Sequence, residues 1–448
     1  MGNQKLSFKE NFCYGIGDIG ANLVWTTVSM FLMVYYTDNV GLSAAVAGTF
    51  MMLARLLDGV SDVFFGNILD KTRTRFGKAR PWILIAAPLS AIGLVLVFNV
   101  PQQLTGNGKI VYAFITYTFL SAVAYTAVNL AISALLSLMT DDQKSRTVAS
   151  VLRMFAAMLT GIIISVTGPK LSASLGWGKT SIVYAVLSVL ILYIMVFGTK
   201  ERIVQRVSVQ KEKRPLRKEL MILCKNRYFI PLTLLFVLNF FSSGLLQGSG
   251  LYYVREVLGD ENLLGVLNML SMPAMLLGFV MFAVLAGKFG KHKVLTAGAV
   301  IQIISALAIL FGDTNIAVIM VANAVRNFGM ALMSGGIYPL VADAVDYGEW
   351  KNGMRQDGLT NSAVSFGTKV GTGLGTAVLG FGLEWGNYTY GAAAQSAQAI
   401  FSIKFLYAGA TAVSMIAVII CMMFLNIDKI YPQIAQGLKE KREQALGN

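Results

Sequence analysis

Apolar stretches of about twenty residues recur along the whole chain, each long enough as a helix to cross the ~30 Å hydrocarbon core of a bilayer. The pattern predicts twelve spanning helices, over 11–37, 43–69, 81–100, 110–139, 147–170, 180–199, 228–254, 263–287, 293–312, 316–342, 358–385 and 400–425. Little is left between them for a soluble domain. The expected fold class is an all-α membrane protein.

The polar segments between the helices alternate in character. The segment Asp70–Arg80 holds five basic residues, and 200–227 holds ten Lys/Arg against three acids. Residues 287–293 and the tail after Asn426 are also basic, whereas the opposite loops carry little beyond Lys109, Lys170, Lys179 and Arg255. Lys and Arg are retained on the cytoplasmic face. A multi-pass protein of the cell (inner or plasma) membrane, with both termini cytoplasmic, is therefore expected. The basic run divides the chain into a six-helix half at 1–199, a cytoplasmic loop at 200–227, and a second half with its tail at 228–448. The segment D-K-T-R-T-R-F-G-K-A-R after the second helix has a weaker counterpart, A-G-K-F-G-K-H-K, after the eighth. Two parallel halves around a central site follow from that repeat.

Composition agrees. Of 448 residues 55% are hydrophobic and 13% charged, against about a quarter charged in soluble proteins, and the mean hydropathy is +0.63. A net charge of +14 raises the question of nucleic acid, but its confinement to short loops assigns it to topology, so no nucleic-acid partner is expected. Cys13, Cys224 and Cys421 lie far apart, giving neither a disulfide framework nor metal-ligand spacing. No small-residue cleavage site follows a short apolar core near the start, so no removable leader is expected. The single histidine, His292, lies in a basic loop without a nucleophile–base set, which argues against an enzyme and against a cofactor.

Charges inside the apolar segments carry the chemistry. A charge at the bilayer centre costs roughly 2.5–3.5 kcal/mol on insertion scales, so such residues mark ion or substrate paths. Arg55, Asp58 and Asp62 are spaced three and four apart in the second helix and share a face. Two carboxylates one turn apart repel when ionised, and a proton or a sodium ion relieves the repulsion. Ser61 and Thr126 offer neutral oxygens at similar depth. Beyond sodium at Asp58 and Asp62, no metal is expected. Lys369, equally isolated in the eleventh helix, needs a carboxylate partner and couples cation binding to the second half. Arg153 in the fifth helix either binds substrate oxygens through its planar fork or snorkels. Asn22 and Trp25, Tyr125 and Asn129, and Ser365 complete a polar lining that suits a sugar, whose C–H face stacks on a ring while its hydroxyls bond to amides.

Four stretches resemble the glycoside–pentoside–hexuronide:cation symporters of the major facilitator superfamily. They are Y-G-I-G-D-I-G-A-N with Y-Y-T-D-N-V-G-L-S, A-R-L-L-D-G-V-S-D-V-F-F-G, T-R-F-G-K-A-R-P-W, and V-A-D-A-V-D-Y-G-E-W-K-N-G-M-R-Q-D-G-L, with Y-Y-V-R-E-V-L-G after helix seven. The resemblance implies the major facilitator fold and cation-coupled sugar uptake by alternating access. It implies a cation site of Asp58, Asp62, Ser61 and Thr126, with Ser61 standing where the melibiose carriers have asparagine, so that H+ and Na+ both stay open. It also implies family roles for Lys369 and Arg153. The sugar site departs: Asn22 and Asn129 stand where the melibiose carriers have acids, and Ser133 and Ser334 where they have tryptophans. The asparagines resemble the glucuronide carriers. Loss of two negative charges beside Arg153 and Lys369 favours an anionic sugar, a glucuronide or hexuronide, with a neutral glycoside or pentoside the alternative.

The acids Asp343, Asp346, Glu349 and Asp357 are candidates to pair with the loop after helix two as a cytoplasmic gate, tested at Arg75 and Asp346. Two other classes compete with symport: an ion-driven exporter of amphipathic compounds, since fold alone does not fix function, and a non-transporting sugar sensor.

Overall fold

The computed structural model describes residues 5–203, 226–312, 314–353, 356–392 and 394–446. Apart from one isolated bridge between Thr74 and Gly77, regular structure among the described residues is helical. In chain order the helices are α1 (Phe8–Val40), α2 (Ala44–Lys71), α3 (Arg80–Val97) and α4 (Asn107–Met139). A run at Gln143–Gly198 follows, then α7 (Phe229–Val257), α8 (Leu263–Phe289), α9 (Lys291–Phe311) and α10 (Ile316–Asn352). The last three are α11 (Asp357–Trp385), α12 (Ala397–Phe424) and α13 (Tyr431–Leu446).

Ten of these segments are long and apolar enough to cross a membrane. One of them, Gln143–Gly198, is 56 residues long and broken at Gly176, whose φ of 78° and ψ of 159° are not helical. At 1.5 Å per residue it spans ~84 Å, enough for two crossings, so we number its parts α5 (143–175) and α6 (177–198). With α11 the count agrees with twelve spans. The expected central loop, 200–227, falls almost wholly outside the described residues.

Helix ends differ from expectation where hydropathy is a poor guide. α10 was expected to stop at 342 but continues to Asn352, because the helix outlasts its apolar stretch. Asp343, Asp346 and Glu349 therefore stand on a helix. α13 was read only as a basic tail. Its Ile434 and Leu438 are buried in a core with Tyr347 and Val341, with Tyr431 and Trp350 packed against them. Four helices contain wide π turns: Tyr35–Val40 in α1, Phe119–Tyr125 in α4, Tyr253–Val257 in α7 and Phe405–Gly409 in α12.

Contacts gather the chain into two compact units. The first holds Met1–Val209 with Gln247–Asn268 and Thr376–Ile403; the second holds Gln210–Leu246, Met269–Gly375 and Lys404–Asn448. Each has its own apolar core: Tyr14, Ile83, Leu135 and Leu192 belong to that of the first, Phe236, Leu295, Met333 and Met415 to that of the second. Outward faces carry rows such as Leu53, Leu57, Val60 and Phe64 on α2. Apolar residues on the outside suit a chain whose solvent is hydrocarbon, where helices associate by close packing.

One local device occurs in both units. Before α3, Gly77 has φ +114°. There the carboxylate of Glu201 accepts from the backbone N–H of Lys78, Ala79 and Arg80 at 2.6, 2.9 and 2.9 Å. Before α9, Gly290 has φ +86°, and Asp428 accepts from the N–H of His292 at 2.8 Å. In each unit a carboxylate beyond the last helix of a six-helix set satisfies the unpaired N–H groups at the start of an earlier one. A side chain at either glycine would strike that carboxylate.

Candidate cation and sugar site

Ser43 caps the start of α2, its hydroxyl accepting from Val46 N–H. On that helix Asp58 is buried at 4% exposure. Its Oδ1 accepts from Thr126 Oγ1 of α4 at 2.6 Å, and its Oδ2 lies 3.5 Å from Arg55 Nη1. The fold thus brings together two oxygens 68 residues apart in the chain. Thr126 follows directly on the π turn of α4, which leaves its hydroxyl also 3.0 Å from the carbonyl of Ser121. A hydroxyl has one proton to give. Thr126 can therefore donate to Asp58, or turn to Ser121 and offer Asp58's side an oxygen lone pair. The Ser61 hydroxyl donates back to Asp58 O at 2.9 Å, and Asp62 is half-buried one turn beyond Asp58.

The Arg55 guanidinium lies over the Trp25 ring at 3.7 Å, and Trp25 packs on Tyr125 with centroids 4.7 Å apart. On the same unit, Arg153 of α5 donates through Nε to Asp18 Oδ1 at 2.7 Å. Its Nη1 and Nη2 reach Ser133 Oγ and Asn129 Oδ1, each at 3.3 Å. Asn22 donates to Asp18 Oδ2 at 2.9 Å. Asn22, Trp25, Tyr125, Asn129 and Arg153 therefore form a continuous set with the cation candidates. Arg153 is held by bonds to α1 and α4.

Ser365 and Lys369 belong to the second unit, one turn apart on α11, both half-buried. Of the two gate candidates, Arg75 is exposed in the loop after α2, and Asp346 accepts from Tyr431 of α13 at 3.1 Å. Asp343, buried on the same helix as Asp346, pairs with Lys291.

Three features escaped the sequence reading. Asp18, quoted only within a glycine-rich stretch, accepts from both Arg153 and Asn22. A second cluster closes the far end of the first unit. There Arg255 pairs with Asp38 at 2.7 Å, Glu256 at 2.8 Å and Glu261 at 3.5 Å, and donates to Tyr388 at 2.5 Å. Burial, with Asp38 beside it, pushes the Tyr388 hydroxyl well above the ordinary tyrosine range, so it remains a neutral donor. The third is Arg326, buried at 2% exposure in the second unit. It donates to the carbonyl of Tyr407, inside the π turn of α12, at 3.1 Å and to Asn323 Oδ1 at 2.5 Å. Among the described residues, no group of three or more His, Cys, Asp or Glu is placed to hold a metal ion.

A family model described as MFS/sugar transport protein matches residues 13–429. The chain is 35% identical to the isoprimeverose transporter of Lactiplantibacillus pentosus, over 98% of this chain and 92% of that protein. It is 32% identical to the glucuronide carrier protein homolog of Escherichia coli (strain K12), over 86% and 85% of the two chains. It is 30% identical, over 90% and 88%, to a protein of the same strain named provisionally as a glycoside/cation symporter. The crystal structure of the nucleoside transporter NupG superposes with a TM-score of 0.65 at 14% identity, covering 92% of this chain and 98% of that one, a likeness of fold.

Proposed function

The chain belongs to the MFS/sugar transport protein family, and from that premise we propose that it is a cation-coupled symporter that imports a glycoside by alternating access. One observation supports the reading most. An ion-type set (Asp58, Thr126, with Ser61 and Asp62) and a sugar-type set (Asp18, Asn22, Asn129, Arg153) share α4 and meet at the Trp25–Tyr125 pair.

The coupling ion is a monovalent cation, H+ or Na+. It relieves the repulsion between Asp58 and Asp62. As Na+ it takes the Thr126 oxygen once that hydroxyl turns its proton to Ser121 O. Because Tyr125 and Thr126 are consecutive, any twist of the wide turn that adjusts the ion site also moves the ring that meets Trp25. Sugar and ion then favour each other by the same free energy in both directions. Ser365 and Lys369 respond from the second half, and the halves 1–199 and 228–448 are the moving bodies, their basic loops facing the cytoplasm.

The substrate best matched is a neutral glycoside. Arg153 is already neutralised by Asp18, so the pair presents hydroxyls with a donor fork and an acceptor together rather than an excess positive charge. The first relative, named for isoprimeverose, agrees; the glucuronide carrier homolog keeps a hexuronide as the second reading. Uptake of labelled neutral glycosides, pentosides and glucuronides into vesicles, under imposed Na+ or proton gradients, tests both. We expect accumulation of a neutral glycoside under one gradient, abolished by Asp58→Cys or Asp62→Cys. Accumulation of glucuronides alone would move the substrate to the second reading. Undiminished accumulation by a folded Asp62→Cys protein would remove the ion assignment, and no solute movement at all would favour a sensor.

A further inference from the structure

Two hollows in the first unit meet end to end, away from the site above. One is an apolar groove of about 430 Å3 between α3 and α6, lined by Pro88, Ala91, Leu96, Ile182, Val186 and Val189 among others. The other is a polar recess of about 450 Å3, lined by Tyr35, Asn39, Asn99, Gln102, Lys109 and Trp177 among others. The chain leaves the groove at Leu96 and enters the recess at Phe98; on α6 it passes from the recess at Gly178 to the groove at Ile182, one turn on. The seam is pinned. Asn99 Nδ2 lies 2.7 Å from Val95 O, 3.5 Å from Gly178 O and 3.4 Å from Ser181 Oγ.

We propose that this composite hollow binds an anionic phospholipid, its acyl chain along α3 and α6 and its phosphodiester in the recess. Shape comes first. From Pro88 to Leu96 the groove follows eight residues of helix, ~12 Å, over an unbroken apolar lining. An acyl chain laid there gains close packing rather than escape from water. Charge decides the headgroup. No carboxylate lines the recess, and its one ionised side chain is Lys109. That ammonium donates to Val40 O at 3.0 Å, which uses one of three N–H donors and leaves two for phosphate oxygens. Lys109 also stands in the first turn of α4, where the helix dipole is already positive and a second positive charge is favoured only beside an anion. Asn39 and Gln102 add amides suited to a glycerol headgroup. A phosphocholine headgroup brings the same phosphodiester but adds a quaternary ammonium that repels Lys109, so it is held less tightly. Trp177, whose centroid lies 5.8 Å from Phe98 and 4.9 Å from Phe31, is the ring type found at headgroup depth.

Native mass spectrometry of the full chain in mild detergent tests the proposal, after incubation with equal amounts of phosphatidylglycerol and phosphatidylcholine bearing identical acyl chains. We expect phosphatidylglycerol adducts in several-fold excess. Lys109→Gln should bring the ratio to about one, Lys109→Arg should preserve it, and Val186→Trp, at an exposed groove position, should reduce both adducts. Equal adducts on the unaltered protein, meaning annular lipid only, would overturn the proposal. So would a ratio unmoved by Lys109→Gln, or adducts undiminished by Val186→Trp. A second measurement needs no altered lysine: brominated phosphatidylglycerol should quench tryptophan emission more than brominated phosphatidylcholine, and Trp177→Phe should remove the difference. Equal quenching by the two lipids would sink the assignment whatever the variants do.

Discussion

Arg153 donates its Nε proton to Asp18 Oδ1 at 2.7 Å, so the guanidinium of α5 is balanced by α1 before any ligand arrives. The preference for an anionic sugar drawn from Asn22 and Asn129 rests on Arg153 and Lys369 together. Asp18 sets a carboxylate against Arg153, which takes that guanidinium out of the argument and leaves it to Lys369.

Asp18→Asn should therefore do two things. Loss of the charged acceptor that Asp18 offers a sugar hydroxyl, a hydrogen bond worth about 1.5–3 kcal/mol, should lower affinity for a neutral glycoside roughly ten- to a hundredfold. The freed guanidinium should raise glucuronide binding relative to it. Competition binding on purified protein reads both; a parallel loss for both sugars would make the pair merely structural.

Thr126→Val deletes the proton given to Asp58. Valine offers no oxygen to Na+, so the Na+ concentration for half-maximal uptake should rise roughly ten- to a hundredfold; with H+ as the ion, loss of a donor to the Asp58 carboxylate eases its protonation and should shift half-maximal uptake to higher pH. Thr126→Ser should stay near the original value. Unaltered ion dependence in Thr126→Val would separate Thr126 from coupling.

Arg255→Met leaves Asp38, Glu256 and Glu261 crowded without their cation, and the Asp38 side chain is only 2% exposed. The ends of α1 and α7 and the loop before α12 should part. In a background with Cys13, Cys224 and Cys421 replaced by Ser, Val257→Cys, at a buried position in the π turn of α7, should then react severalfold faster with an impermeant thiol reagent. Unchanged labelling would show that apolar packing alone holds this end shut.

Glu201→Ala unties three N–H groups at the start of α3 and should cost on the order of 2–3 kcal/mol, read as a lower melting temperature in detergent. Gly77→Ala should be comparably harmful, since its φ of +114° strains any side chain by about 1–3 kcal/mol. Asp428→Ala, which unties one N–H, should give a smaller loss in the second unit. A neutral Asp428→Ala would mean that the second device carries no weight.

What was legible in the sequence follows from the solvent. Hydrocarbon demands long apolar runs, so the helices announce themselves, and a carboxylate such as Asp58 stands out against them. Thr126 could be matched to it by depth. Asp18 lies closer to the end of its run, among glycines, and reads as a boundary charge. Asp38 and Arg255 sit 217 residues apart and reveal their pairing only once folded. π turns leave no compositional trace, because the residues of Phe119–Tyr125 would serve equally in an α-helix. The amphipathic α13 could have been found from Tyr431, Ile434 and Leu438 at helical spacing.

The π turn of α4 holds one residue more than the α-helix it interrupts. Removing that surplus residue would rotate everything beyond it by about 100°. Thr126, Asn129 and Ser133 all lie beyond it, so the polar face would swing away as a block from Asp58 and Arg153. The same joint lets that face swivel while residues 107–118 keep their packing. A gain or loss of one residue between 119 and 125 is thus the smallest inherited change that could re-index ion chemistry against sugar chemistry in this scaffold.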